Sequence, residues 1–439
     1  MFQLRAKSWT RLALAAVVLS TFTLVDASWD DQVILGSNQN DEFNLDSLIT
    51  RWPIKNQAVY ASPSGEFQSG RVFGMSDLRV YGLNAMRAVQ VDSGSESPFQ
   101  WITEAVKLRL KAEGKDIWDV TETVLASDTY KAAPNPKFSY PSAPKANETV
   151  RSIFPYISTE EQKSNIATFT NTSVFQTRYY NSEWGRNSSI WLARKAASYV
   201  KELGGYAEEA NVQIEVIRWE HRWLQDSVVV RFIPLDASEE PVTIIGAHCD
   251  SLNHENPLYT APGADDDGSG TVTILEALRS LLAAKYVPKS PLEFQFYAAE
   301  EGGLLGSQVI AAEYVKQGRE VRGMQQYDAT AWVKPGVPER IGVMMSTIDE
   351  ALTDFQIMLI DEYIDIPYIR AQYPGRASSD HASWHNAGYP ACHVTENRFE
   401  DMNPNMHSPF DTFTLPDYSF DHMLKFTKLA VAFAVEMTS

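Results

Sequence analysis

Seven carboxylates and two imidazoles fall where apolar runs give way to polar loops. They are His248 and Asp250 in GAHCDS, Asp265, Asp266 and Asp267 in APGADDDGSG, Glu300 and Glu301 in YAAEEGG, Asp328 in QQYDAT, and His407 in NPNMHSPFD. Two histidines with three carboxylates supply nitrogen and oxygen ligands for two divalent ions, a donor set that suits zinc with positions left open for water and needs no cysteine. A carboxylate held between two ions can bridge them with its two oxygens, and the small residues after the triple aspartate let the backbone turn tightly enough to aim it. Along an extended backbone adjacent side chains point opposite ways. One glutamate of the Glu300–Glu301 pair can therefore ligate while its neighbour handles protons, and we assign Glu301 to the metal and Glu300 to the general base. Such a base takes a proton from the attacking water and passes it to a leaving amine. The i, i+2 spacing of His248 and Asp250 puts both on one face, so that Asp250 can fix the tautomer of the imidazole.

These residues need a scaffold that gathers them from distant parts of the chain. From Val150 onward, helix-like and strand-like segments alternate as in a mixed α/β domain. DSVVVRFIPL, PVTIIGAHCD, SPLEFQFYAAEE, VRGMQQYDA, RIGVMMST and YPACHVTE have strand patterns, with Leu292, Phe294 and Phe296 on one face of the third. SIWLARKAASYVKEL, GTVTILEALRSLLAAKY, GSQVIAAEYVKQ, ALTDFQIMLIDEYI and DHMLKFTKLAVAFAVEM have helical ones. The predicted fold is α/β, a central mixed and largely parallel sheet flanked by helices, and in such open sheets sites form at the carboxyl ends of strands.

The region before Val150 is different. Arg5, Lys7 and Arg11 precede an apolar stretch from Leu12 to Val25 and small residues ending at Ala27, the layout of a secretory signal over residues 1–27. Residues 28–140 read as a propeptide region. Within it, WITEAVKLRLKAEGKDIWDVTETVLA has the spacing of an amphipathic helix around Trp101, Ala105 and Leu108, and Pro134, Pro136, Pro141 and Pro144 mark an extended linker. An exposed linker is where proteases cut, here between about Tyr130 and Glu148. The catalytic domain is expected over 150–439.

With 44% hydrophobic and 21% charged residues, the composition is that of a globular chain, and the formal charge of −18 disfavours nucleic acid and anionic membranes as partners. No stretch after the signal is long and apolar enough to span a bilayer, so a secreted, extracellular chain is expected. Sequons at Asn147, Asn171 and Asn187 agree with that route. Cys249 and Cys392 are the only cysteines, which excludes a disulfide framework and leaves their pairing open.

The ordered set GAHCDS, APGADDDGSG, YAAEEGGLLGS, QQYDAT, SSDHASWHNAGYP and NPNMHSPFDT closely resembles the secreted co-catalytic di-zinc aminopeptidases, the family of the bacterial and fungal leucine aminopeptidases. The match runs from about Ile157 to the C-terminus and includes FTNTSVFQTRYYNSEWG at its start. The resemblance implies that Asp266 bridges two zinc ions, that His248 and Asp328 complete one site and Glu301 and His407 the other, and that Glu300 is the base and Asp250 the partner of His248. It implies a monomeric exopeptidase acting on peptides with a free N-terminus and preferring apolar first residues, made with a propeptide as in the fungal members. The chain departs from the family where a disulfide often precedes the SDHAS motif, since Pro374 and Ser378 stand at those positions, and Arg376 corresponds to an aromatic residue near the substrate. His381, Trp384 and His385 are read as support or core rather than ligands.

Three other functions share parts of this pattern. A glutaminyl cyclase-like enzyme keeps the fold with one working zinc, a carboxypeptidase needs a basic residue for the substrate carboxylate, and a non-catalytic module would have lost ligands or base. This chain has lost neither.

Overall fold

A computed structural model describes residues 49–52, 83–91, 99–113, 115, 117–122 and 137–439 except 376. The signal segment, most of the expected propeptide region, Pro134, Pro136 and Arg376 lie outside the described residues.

The central sheet has nine strands in the order β1-β5-β6-β8-β7-β9-β12-β10-β11. These are β1 (Ile49–Trp52), β5 (Val212–Trp219), β6 (Ser227–Pro234), β7 (Val242–His248), β8 (Leu292–Tyr297), β9 (Val321–Tyr327), β10 (Ile341–Met344), β11 (Tyr368–Ala371) and β12 (Ala391–Thr395). The middle run β8, β7, β9 and β12 is parallel, so its carboxyl ends open on the same side. Antiparallel pairs join β5 to β6, β6 to β8 and β10 to β12. The sheet is thus mixed and largely parallel, as expected, and β5 is a strand the sequence pattern did not reveal. Its alternation is blurred by Glu215 and Arg218, which are only half-buried.

Strands β7, β8 and β12 are buried along their whole length, as strands covered by helices on both faces must be. Period-two alternation sorts their side chains: Ile245, Ala247, Phe294 and Phe296 enter one core, and Val242, Ile244 and Tyr297 the other. The first core is covered by α4 (Glu183–Leu203), α5 (Gly268–Ala283), α7 (Glu350–Tyr363) and α9 (Phe420–Thr438). The second is covered by α6 (Leu305–Gln317) and α8 (His381–Asn386), where Tyr314 and Trp384 meet edge to face. Two shorter helices, α2 (Asn147–Ile153) and α3 (Thr159–Phe169), precede α4.

A second, antiparallel sheet of three strands lies N-terminal to this body: β2 (Met86–Val91), β3 (Gln100–Thr103) and β4 (Ile117–Asp119), in the order β3-β2-β4, with helix α1 (Glu104–Ala112) packed on it. The sequence pattern suggested one amphipathic helix around Trp101, Ala105 and Leu108, and this is corrected in its second half, where Ile117–Asp119 form strand β4 paired with β2, and at its start. Trp101 sits on β3 opposite Ala88, and the helix begins only at Glu104, where the Thr103 hydroxyl accepts from the Val106 amide as an N-cap. The described end of the expected linker is fastened to the main body. The Tyr140 hydroxyl donates to the Arg322 carbonyl at 2.8 Å, its ring stacks on Phe355, and the Glu436 carboxylate accepts from the amides of Lys145 and Ala146.

Candidate metal centre

His248 ends β7, Asp328 follows β9, and the turn carrying Glu300 and Glu301 follows β8, so three parallel strands deliver their polar residues to one end of the sheet. The triple aspartate lies between β7 and α5 and divides its work. Asp267 caps α5, accepting from the Gly270 amide at 2.8 Å, and also accepts from the amides of His248 and Ala329, which ties two strand ends together. Asp265 accepts from the Ala331 amide and the Asn403 side chain. Only Asp266 is left to face the cleft.

Its two oxygens face different imidazoles. Oδ1 lies 3.1 Å from His248 Nε2, and Oδ2 lies 2.8 Å from His407 Nε2. Asp328 Oδ1 is 3.6 Å from His248 Nε2, and Glu301 Oε1 is 3.0 Å from His407 Nε2. Two donor groups result, His248–Asp266–Asp328 and Asp266–Glu301–His407, each with its ligand atoms within 4.8 Å of one another and with Asp266 common to both. Asp250 lies behind them, 3.3 Å from His248 Nδ1, and its oxygens accept from the amides of Glu300 and Glu301 at 3.0 and 3.1 Å. One buried carboxylate therefore orients an imidazole and holds the neighbouring turn in place.

The electrostatics are those of a site short of positive charge. Burial alone would lower the His248 imidazole, but Asp328 and Glu300 carry it well above the ordinary histidine value. Burial drives the Glu300 carboxyl far up, with Glu301 and Asp328 adding to the push and His248 opposing it. Asp266 is held far down against burial by His407 and His248. Both ring nitrogens of His248 and Glu301 Oε1 are buried without a well-formed hydrogen bond. Orphaned donor atoms among crowded carboxylates fit divalent cations, whose charge satisfies both at once.

The expected residues come together, but one step toward them is corrected. Glu300 and Glu301 do not lie on extended backbone, because the amides of Gly303 and Leu304 both fold back onto the Glu300 carbonyl in a turn. The two glutamates still differ in placement: Glu301 joins a donor group and Glu300 joins neither, while both line the cleft. Trp384 and His381 are fully buried, with the Trp384 indole donating to the Tyr297 hydroxyl, and neither belongs to a donor group, nor does the half-buried His385. Cys249 and Cys392 are buried and unpaired.

Two supports went unrecognised in the sequence. The Asp411 carboxylate accepts from the amides of Asp265 and Asp266 at 3.1 Å each and from Asn403, so the loop that brings His407 also holds the backbone of Asp266. Arg178, fully buried against the Phe169 ring, donates to the carbonyls of Cys249, Pro262 and Gly263, stapling the end of β7 to the aspartate loop. Gly263 has φ +52°, and a side chain there would meet Ser251 and Arg178, so the approach requires glycine. Arg178→Met should leave those carbonyls without donors and cost on the order of 3 kcal/mol in urea unfolding. A change within ~0.5 kcal/mol would show that the loop holds itself.

Comparison with known proteins places the chain in a family. The profile of Peptidase family M28 matches residues 227–432. Leucine aminopeptidase 1 of Chaetomium globosum is 38% identical over 77% of this chain and 82% of its own, and that of Metarhizium robertsii is 39% identical over 77% and 84%. Among solved structures, the LapA aminopeptidase of Legionella pneumophila covers 81% of this chain and 98% of its own at 26% identity, with a TM-score of 0.68. Identity of this extent over most of both chains, with the donor set and the strand-end geometry in place, shows that the chain belongs to peptidase family M28, among its metallo-aminopeptidases.

Proposed function

We propose that the cleft takes two zinc ions, one held by His248, Asp266 and Asp328 and the other by Asp266, Glu301 and His407, and that the chain removes apolar first residues such as leucine from peptides with a free amino terminus. The observation that carries this reading is Asp266, whose two oxygens face the imidazoles of two separate donor groups. When bound, the ions would polarise the scissile carbonyl and lower the pKa of the attacking water. Glu300, outside both groups, accepts that proton and returns it to the departing amine. Asp250 keeps His248 in the tautomer that presents Nε2 to the cleft. Leu304, Phe399, Met402 and Met406 on the cleft wall support an apolar first residue.

A secreted monomer made as a precursor is part of the same proposal. The N-terminal signal pattern and the sequon at Asn171, which is exposed, support it. No helix among the described residues is long and apolar enough to cross a membrane. The strapping of Tyr140, Lys145 and Ala146 to the main body favours a processing cut on the N-terminal side of Phe138, within the earlier part of the expected interval.

The direct test compares a leucine-first peptide with its N-acetylated form. Free leucine should appear from the first and not from the second. Equal release from both, or release from the carboxyl end, would overturn the assignment.

A further inference from the structure

Tyr373 lies just beyond β11 and lines the cleft together with Asp266, Glu300 and Asp328. Its ring meets Phe399 of the apolar wall edge-on and stacks on His393 of β12, with centroids 5.8 Å apart. Resting on the aminopeptidase reading above, we propose that the Tyr373 hydroxyl, locked by His393 as a hydrogen-bond donor, presents its lone pair to the cleft and accepts the N–H of the scissile peptide bond.

The direction of one hydrogen bond decides the role. The Tyr373 hydroxyl and His393 Nε2 are 3.0 Å apart, and His393 Nδ1 lies 3.2 Å from the Gln326 carbonyl. That carbonyl is fixed in the sheet, where β9 pairs with β12 in a register that sets Gln326 beside His393. A carbonyl only accepts, so Nδ1 carries the proton. A neutral imidazole has one N–H, which makes Nε2 an acceptor, and the phenol must donate to it. Burial pushes the His393 imidazole down to about 4 against the pull of Asp328, so the ring is neutral at neutral pH. His381 stacks on the same imidazole at 4.7 Å and is itself held by the Ser346 carbonyl, 3.1 Å from its Nε2. The ring that orients Tyr373 is thus packed and anchored on its own account.

A hydroxyl whose hydrogen is spent inside the protein has none left for the carbonyl oxygen of a substrate. Turning it toward the cleft would leave His393 Nε2 buried and unpaired. Nor does the phenol ionise, because burial, with Asp328, Glu300 and Asp266 adding to it, holds the group well above the ordinary tyrosine value. What faces the cleft is an uncharged acceptor. At the bond to be cut the donor is the peptide N–H. Attack by water turns that nitrogen pyramidal, and its new lone pair must face Glu300 to collect the proton. An acceptor that holds the existing N–H points the lone pair at the base. Tyr373 exchanges no proton itself. It is a positioning residue, and the bonds made and broken remain those of peptide hydrolysis.

The test gives the active enzyme, with zinc bound, a leucine-first dipeptide and the matching ester, in which oxygen replaces the scissile N–H. In Tyr373→Phe the dipeptide-to-ester ratio of kcat/KM should fall at least ~10-fold, because only the dipeptide loses an acceptor. Both rates come from one protein sample, so a misfolded fraction cancels from the ratio. An unchanged ratio would assign the hydroxyl to support of the cleft or to the free amine, which both substrates keep. A ratio that rises would make it a donor to the carbonyl oxygen. Either result overturns the proposal. NMR of protein carrying isotope-labelled histidine should find the His393 proton on Nδ1, and a proton on Nε2 would reverse the hydrogen bond and overturn it as well. Release of leucine from neither substrate by the unaltered enzyme overturns the aminopeptidase reading instead.

Discussion

Glu300→Gln is expected to keep both metal sites and substrate binding while turnover falls at least ~100-fold, the usual range for a lost general base. Glutamine matches glutamate in shape and still hydrogen-bonds, so the turn that bears it, held by the Asp250 carboxylate through the amides of Glu300 and Glu301, should remain in place. Glu300 belongs to neither donor group, which is why its loss should spare the metals. What disappears is the proton acceptor. Glu301→Gln should behave differently: it removes one carboxylate from the group containing Asp266 and His407 and should weaken that site. Metal analysis beside steady-state kinetics separates the two variants. Normal turnover in Glu300→Gln, or loss of metal there with retention in Glu301→Gln, would mean that the pair is reversed or that the base lies elsewhere.

Asp266→Ala should remove activity altogether and lower the occupancy of both sites, because one side chain serves both. The expectation rests on the position of its oxygens, 3.1 Å from one imidazole and 2.8 Å from the other. The neighbours cannot substitute. Asp265 and Asp267 are engaged by the amides of Ala331, Gly270, His248 and Ala329, and rotating either into the cleft would leave those donors buried and unpaired. Full metal content in an active Asp266→Ala protein would refute the shared ligand.

The gathering of the candidate donors was legible because the chemistry is local: His248, Asp328 and the glutamate pair each follow an apolar strand, and residue type together with position at a strand end pointed to one cleft. His407 was found through its motif, since it lies on a loop with no periodicity to mark it. Less accessible was whatever depends on contacts between distant segments. Nothing near Arg178 in sequence announces the carbonyls of Cys249, Pro262 and Gly263, and Asp411 shows its purpose only beside the amides of Asp265 and Asp266. The turn at Glu300 was mistaken for extended backbone because the strand before it is so regular, although the two glycines that follow were the available signal. Trp101 was placed on a helix because its apolar spacing continues into α1, while its pairing with Ala88 depends on a strand more than ten residues away.

The number of metal ions per chain tests the central claim most directly. Elemental analysis of the purified active protein, repeated as a chelator withdraws the metal, should find two zinc ions per chain at full activity, with activity lost as they leave. One ion per chain at full activity would contradict the account, because Asp266 would then have a single ion to serve.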